Sequence, residues 1–152
     1  MNNSIRMFKL ISLSTIMAMM LVACSGGASV GQTAKELITA NSVEVDTQRE
    51  LGVGETVTVL EVVSKDAGWI VIHADNNGEP GAIVGYAPVK AGLNENIKVK
   101  VDAGKLTPTL YAILHVDRGI QGTFEFPGED VPAAGSEGGA AMANFQIGEI
   151  PE

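Results

Sequence analysis

The stretch "NIKVKVD", residues 96–102, decides the fold class of this 152-residue chain. Apolar Ile97, Val99 and Val101 alternate with charged side chains, which is the period of two that a strand with one buried face requires. The same period recurs upstream in "SVEVDTQ", residues 42–48, and at the start of "ETVTVLEVVS", residues 55–64. Alternation of this kind is typical of antiparallel sheets that face water on one side.

Three more segments, rich in β-branched and aromatic residues, extend this pattern along the chain. They are "WIVIHAD" (69–75), "TLYAILHVD" (109–117) and "AMANFQIG" (141–148). Between two of the strands, "KDAG", residues 65–68, is predicted to form a hairpin turn. The only helical candidate, "TAKELITA", residues 33–40, is brief. We therefore predict an all-β fold, an antiparallel Greek-key (immunoglobulin-like) β-sandwich of about seven strands over residues 41–152.

The N-terminal segment is typical of an export signal. Arg6 and Lys9 flank the start of the apolar run "LISLSTIMAMMLVA", residues 10–23, which is too short for a membrane span. The run leads into "LVAC", residues 21–24, which resembles the lipobox of bacterial lipoproteins. We expect residues 1–23 to be removed as a signal peptide. Cys24 would then carry acyl chains such as palmitate and anchor the protein to a membrane on the extracytoplasmic side.

Residues 24–40 are expected to link this anchor to the domain. The stretch "SGGASVGQTAK", residues 25–35, is small, polar and Gly-rich, which is the composition of a flexible tether. Cys24 is the only cysteine of the chain, so an intramolecular disulfide is excluded. A blue-copper site is excluded for the same reason, because it needs a thiolate beside two histidines.

The charge of the chain restricts its partners. Removal of residues 1–23 takes away Arg6 and Lys9 but no acidic residue, so the formal net charge changes from −8 to −10. A surface of this charge repels phosphate groups, and we therefore expect no nucleic-acid partner. The expected partners are the membrane, through the lipid anchor, and an unidentified surface protein, glycan or cation.

Two stretches share one order of residues: "WIVIHADNNGEPGAIVG", 69–85, and "YAILHVDRGIQGTFEFPG", 111–128. Each has an aromatic residue, an apolar strand, a His-x-Asp pair and then glycines with an acidic residue and Pro-Gly. The His and the Asp of each pair point to one face of their strand, because they are two residues apart. If the strands lie side by side, four side chains could meet at one rim and bind zinc or copper. They are His73, Asp75, His115 and Asp117.

The same four residues also have a purely structural interpretation. A histidine at the end of a strand can hydrogen-bond to a carboxylate, and an aspartate after a strand can cap its turn. Calcium is a weaker alternative for "ADNNGEPG", residues 74–81, which lacks the full spacing of a calcium loop. The sequence therefore requires no cofactor, and a zinc or copper site stands as the alternative.

No residue is assigned a catalytic role. No G-x-S-x-G nucleophile elbow is predicted, because the match at residues 27–31, "GASVG", lies in the Gly-rich stretch and follows no predicted strand. The acidic run "FEFPGED", residues 124–130, offers Glu125, Glu129 and Asp130 to a small hydrolase, which is a second alternative. We expect instead that Phe124 or Phe126 enters the core while the acids of this run face water.

Two segments resemble an uncharacterised β-rich domain family of archaeal and bacterial secreted and surface proteins. They are "GWIVIHADNNGEPGAIVGYAPVKAGLNENIKV", 68–99, and "LYAILHVDRGIQGTFEFPGEDVP", 110–132. The resemblance implies an adhesion or binding module and carries no particular activity. It also implies that the His, Asp and Pro-Gly positions belong to the framework of the fold. Together with the anchor, it predicts a lipid-anchored, extracytoplasmic, non-enzymatic module that binds or displays a ligand at the cell envelope.

Overall fold

Eight strands and one short 3₁₀ turn make up the part of the chain that the computed structural model describes, residues 39–48, 51 and 55–148. The strands are β1 (Ser42–Glu44), β2 (Thr56–Ser64), β3 (Gly68–Asn76), β4 (Glu79–Val89), β5 (Gly92–Lys100), β6 (Thr109–Val116), β7 (Val131–Pro132) and β8 (Met142–Gln146). The 3₁₀ turn is Ala103–Lys105. The all-β prediction is confirmed, with eight strands in place of about seven.

Two antiparallel sheets form a β-sandwich. The three-stranded sheet has the order β1-β2-β5, and the five-stranded sheet has the order β4-β3-β6, with β7 and β8 both paired to β6. The chain leaves the first sheet after β2, forms β3 and β4 in the second, and returns as β5 beside β2. Such a return connection is of the Greek-key type, and the predicted sandwich is confirmed.

The main core lies between the sheets and takes apolar side chains from both. On β2, Val57 and Val59 are fully buried, while Thr58 between them is half-buried. Ile70 of β3 and Leu114 of β6 meet them from the other sheet, also fully buried. Burying a side chain of this size contributes about 1.5–3 kcal/mol, so these alternating positions hold the two sheets together. Val99 lies in the same core, as its alternation with lysines predicts.

The sequence pattern does not predict β4. Pro80, Gly81 and Pro88 are typical of a loop, and no strand is predicted here, yet the segment pairs with β3 along its length. A two-residue turn at Asn77 and Gly78, with φ angles of 57° and 88°, folds it back. Positive angles at both positions match the twist of a tight hairpin. The prolines are tolerated because β4 lies at the edge of its sheet, where a missing N–H breaks no ladder.

The predicted hairpin at residues 65–68 is wrong. The strands on either side of it, β2 and β3, belong to different sheets, so these residues cross from one sheet to the other. The Ser64 hydroxyl donates to the carbonyl oxygen of Asp66 at 2.6 Å and supports this bend. β3 instead forms a hairpin with the strand that follows it, β4, through the tight turn at residues 77–78.

Gly68 begins β3 where β6 lies too close for a side chain. A Cβ atom at this position would overlap the carbonyl oxygen of His115, which is backbone and cannot rotate away. We expect Gly68→Ala to lower the free energy of unfolding by about 1–3 kcal/mol in urea titrations. Gly139→Ala is the matched control, since nothing lies within 4 Å of a Cβ there. Equal effects of the two substitutions would contradict the steric explanation.

Several sequence predictions concern residues outside the described part of the chain. The signal peptide over residues 1–23, Cys24, most of the tether and most of the helical candidate at 33–40 fall in this category. Within the described residues, no helix has the length and hydrophobicity needed to cross a membrane.

Candidate functional site

Both histidines lie on the second face of the five-stranded sheet, which points away from the main core. In the pairing of β3 with β6, Trp69 is opposite His115, and His73 is opposite Tyr111. None of these four belongs to the main core. Even so, Trp69, His73 and His115 are only 7%, 5% and 1% exposed. Since the outer face of an antiparallel sheet commonly faces water, something must cover this one.

The cover is the segment that follows β6, residues 117–130, which we call the cap loop. Phe126 stacks on the ring of His115 with 4.6 Å between ring centres, and Phe124 stacks on Tyr86 of β4 at 4.2 Å. Six rings thus form one group, the aromatic cluster. Its members are Trp69, His73, Tyr86, His115, Phe124 and Phe126. The two phenylalanines therefore pack into a second, smaller core on this face of the sheet. The expectation that one of them enters the main core is wrong.

A buried carboxylate closes the cap loop. Asp130 is 0% exposed and accepts the backbone N–H of Arg118 at 3.0 Å and that of Glu125 at 2.8 Å. Hydrogen bonds to a charged acceptor are stronger than those between neutral groups. One side chain thus joins the start, the middle and the end of the loop. The expectation that the acids of residues 124–130 face water is wrong for Asp130, because these N–H groups need an acceptor under the loop.

Two further carboxylates, both within the cap loop, accept backbone N–H groups of the same loop. Asp117 accepts the N–H of Gly122 at 2.7 Å, and Glu125 accepts the N–H of Ile120 at 2.6 Å. Gly122 adopts a φ angle of 79°, which glycine tolerates best. These contacts show that the two carboxylates have a structural role in the loop. Their positions give no support to the hydrolase alternative.

His73 is oriented by a backbone carbonyl. Its Nδ1 lies 2.8 Å from the carbonyl oxygen of Gly81 on β4. A carbonyl can only accept, so Nδ1 is the donor of this hydrogen bond. The ladder between β3 and β4 shifts register at this point, since Ile72 lies opposite Gly85 while His73 lies opposite Ile83. Such irregularities redirect side chains and are common near functional sites.

The two imidazole rings lie edge to face, with 5.9 Å between their centres. His73 Nε2 and His115 Nδ1 are buried, and among the described residues neither has a hydrogen-bond partner. The same is true of Trp69 Nε1 in the same cluster. Buried polar atoms without partners are uncommon in folded proteins, which makes this face a candidate functional site.

Burial lowers the pKa of His115 from 6.5 to about 4, and the neighbouring His73 acts in the same direction. The charge on Asp130 opposes this shift but does not cancel it. His115 is therefore a neutral imidazole near pH 7. A neutral ring offers one nitrogen lone pair, which is the form that binds metal ions.

The structure separates the two predicted aspartates. Asp75 accepts the hydroxyl of Tyr111 and the N–H of Gly78, each at 3.0 Å, at one end of the strand pair. Asp117 lies at the other end, where its N–H donates to the carbonyl of Ala67 at 3.2 Å. The strands are neighbours, as expected, but they run in opposite directions. The expected meeting of all four side chains at one rim therefore does not occur, and only the histidines come together.

No group of three His, Cys, Asp or Glu side chains within the described residues is arranged to hold a metal ion. Sequence reasoning also missed two members of the site. Tyr86 was overlooked because no strand was predicted at residues 79–89, and the buried position of Asp130 was missed because an acidic run usually faces water. Four aromatic residues could have indicated the site, because aromatic side chains of neighbouring strands and loops can pack together over one sheet face. They are Trp69, Tyr86, Phe124 and Phe126.

These features define a class of protein: an antiparallel β-sandwich whose second sheet face is closed by a loop over paired histidines. Residues 41–147 match the family Domain of unknown function (DUF7282). The match covers more than half of the chain, and the protein belongs to this family. This is consistent with the resemblance to an uncharacterised domain family. No curated protein and no solved structure matches the chain.

Proposed function

We propose that this protein is a lipid-anchored, extracytoplasmic module that binds or displays a partner at the cell envelope and is not an enzyme. The observation that carries the proposal is "LVAC", residues 21–24, after a basic start and an apolar run. A small residue before the cysteine and the position of the motif support cleavage and lipidation at Cys24. Two acyl chains suffice for stable anchoring, whereas one is marginal.

The position of the domain supports the same proposal. The family match begins at residue 41, so residues 25–40 would separate the lipid from the domain. As a random coil, a segment of this length spans about 20–25 Å, enough to hold the domain clear of the lipid surface. A mature net charge of −10 would keep it soluble there and favours cationic or neutral partners over nucleic acid.

Three carboxylates of the cap loop support a binding role over catalysis. Asp117, Glu125 and Asp130 each accept backbone N–H groups of the cap loop. A general acid or base needs a free path to its substrate, and these oxygens are engaged in holding the loop. A rigid loop on a sandwich scaffold is a common way to present a binding surface.

Replacing the single cysteine tests the anchor. In bacterial cells that express the full chain, we expect Cys24→Ser to abolish incorporation of labelled palmitate, because no second cysteine exists. The variant should also move from the membrane fraction to the soluble fraction. Ser25→Ala is the matched control and should keep both the label and the membrane location. Label that persists in Cys24→Ser would overturn the proposal.

A further inference from the structure

The strand β8 has one edge that no other strand of the described residues covers. The carbonyl oxygen of Ala141 accepts an N–H from β6 at 3.0 Å, and the N–H of Ile147 donates to the carbonyl of Pro108, just before β6, at 3.0 Å. Along a strand, backbone groups turn alternately to its two sides. The N–H and C=O groups of Met142 and Asn144 therefore turn away from β6, and no described strand pairs with them.

This edge adjoins a groove between the two sheets. The groove has a volume of about 480 Å³ and is lined from one sheet by β1 and from the other by the start of β8 and the turn before it. The two edges meet at two isolated bridges, Asn41 with Gly135 and Gln48 with Ile147. Between these points they exchange no backbone hydrogen bond. A groove of this size can hold a short segment of another chain.

The other edge strands carry features that discourage an added strand, whereas β8 does not. Sheet edges are commonly protected by prolines, by charged side chains or by being short. β4 has Pro80 and Pro88, β5 has Lys98 and Lys100, and β7 ends in Pro132. β1 is three residues long. β8, with the sequence "MANFQ", contains neither proline nor charge, so its free edge is open to pairing.

We propose that the free edge of β8 binds an extended peptide segment of a partner protein, about five residues long, that carries a basic side chain. The segment would add one strand to the five-stranded sheet, with its main chain hydrogen-bonded to Met142 and Asn144. Five residues of a strand span about 17 Å, which matches the five-residue length of β8. The inference deepens the proposed binding role and rests on it, but it does not depend on the lipid anchor.

The charge of the groove selects the side chains of this segment. Glu137 is the only charged residue that lines the groove, and it is exposed and forms no salt bridge within the described residues. A basic side chain of the partner would pair with it, whereas an acidic one would be repelled. Gly139 and Ala140 beside it are small and leave room for the partner's side chains. The formal net charge of −8 disfavours a second copy of the chain as the occupant.

The test uses the full chain in micelles of an uncharged detergent and a fluorescein-labelled probe, the peptide Thr-Val-Lys-Val-Thr with blocked ends. The main chain supplies most contacts in strand addition, so a generic alternating sequence is a suitable probe. We expect saturable binding in fluorescence polarisation, and at least about tenfold weaker binding when Glu replaces the Lys of the peptide. The lysine peptide should also slow amide hydrogen exchange at Met142 and Asn144, measured by NMR.

Asn144→Pro tests the edge itself. Proline has no N–H, but the N–H at this position turns away from β6, so the pairing of β8 with β6 is kept. We expect at least about tenfold weaker peptide binding. Asn144→Ala is the matched control, which keeps the N–H and should bind within about twofold of wild type. Near-UV circular dichroism verifies folding, and Glu137→Lys, which leaves the edge intact, should reverse the preference between the two peptides.

Absence of saturable binding by the wild-type chain overturns the proposal, and so does undiminished binding by a folded Asn144→Pro. Equal affinity for the two peptides would overturn the basic character of the partner. A dimer that Asn144→Pro abolishes, seen by analytical ultracentrifugation without any peptide binding, would assign the edge to a second copy instead. Cys24→Ser should bind the peptide as wild type does, so this result and the palmitate result can fail separately.

Discussion

Asp130→Ala is expected to lower the free energy of unfolding by about 2–5 kcal/mol, the largest effect of any single substitution in the cap loop. The carboxylate is fully buried and accepts the N–H groups of Arg118 and Glu125. Removing it leaves two buried donors without an acceptor, and each costs about 1–3 kcal/mol. It also removes the bond between the start and the end of the loop. Equilibrium unfolding in urea, followed by the fluorescence of the single tryptophan, Trp69, measures the change.

Two variants make this result specific. Glu129→Ala removes the exposed neighbouring carboxylate and should change stability by no more than about 0.5 kcal/mol. Asp130→Asn keeps one acceptor oxygen and should fall between the alanine variant and wild type. If Asp130→Ala were as stable as Glu129→Ala, the Asp130 carboxylate would not be what holds the cap loop in place. The ring centres of Trp69 and Phe124 lie 5.7 Å apart. Detachment of the cap loop should therefore also shift the fluorescence emission of Trp69.

Acidification from about pH 6.5 to about pH 4 should lower the free energy of unfolding of the protein by roughly 3 kcal/mol through His115 alone. Burial lowers the pKa of this imidazole from 6.5 to about 4 in the folded state. Between these values the unfolded chain binds the proton and the folded chain does not. Stability therefore rises with pH across this window. The contribution of His115 is complete above pH 6.5 and is lost as the pH falls towards 4.

The free energy of unfolding, measured in urea at several pH values, checks this prediction. His115→Gln removes the titrating group and should flatten the profile between pH 4 and pH 6.5 relative to wild type, while the carboxylates of the chain still titrate in both proteins. A histidine that titrates at its ordinary pKa of 6.5 in the folded protein would contradict the prediction, and proton NMR of the ring would show it. Parallel profiles of the two proteins would contradict it equally.

The strands that the sequence predicts best are those with local evidence. Around Val57 and Val99, apolar and polar residues alternate, and this period of two needs no knowledge of distant contacts. β4 fails the same test, because Pro80 and Gly81 are signals for a loop. Only the pairing of this segment with β3, at the edge of the sheet, makes it a strand.

The candidate site was predictable in part. The sequence singled out His73 and His115, and strand periodicity correctly placed each on one face of its strand. It could not show that the two strands are direct neighbours or in which register they pair. Antiparallel pairing brings the imidazoles together but carries Asp75 and Asp117 to opposite ends.

By itself, the sequence determined the all-β class, the alternation of the core strands and the residues that share a face, because these depend on neighbours two residues apart. Lipidation at Cys24 remains a prediction from the sequence. The tertiary structure alone decided that the second face of the sheet is buried. Periodicity shows which side chains point together, but burial depends on what packs over them. Here that cover is the cap loop, residues 117–130, whose Phe124 and Phe126 reach strands distant in sequence and whose Asp130 holds it in place.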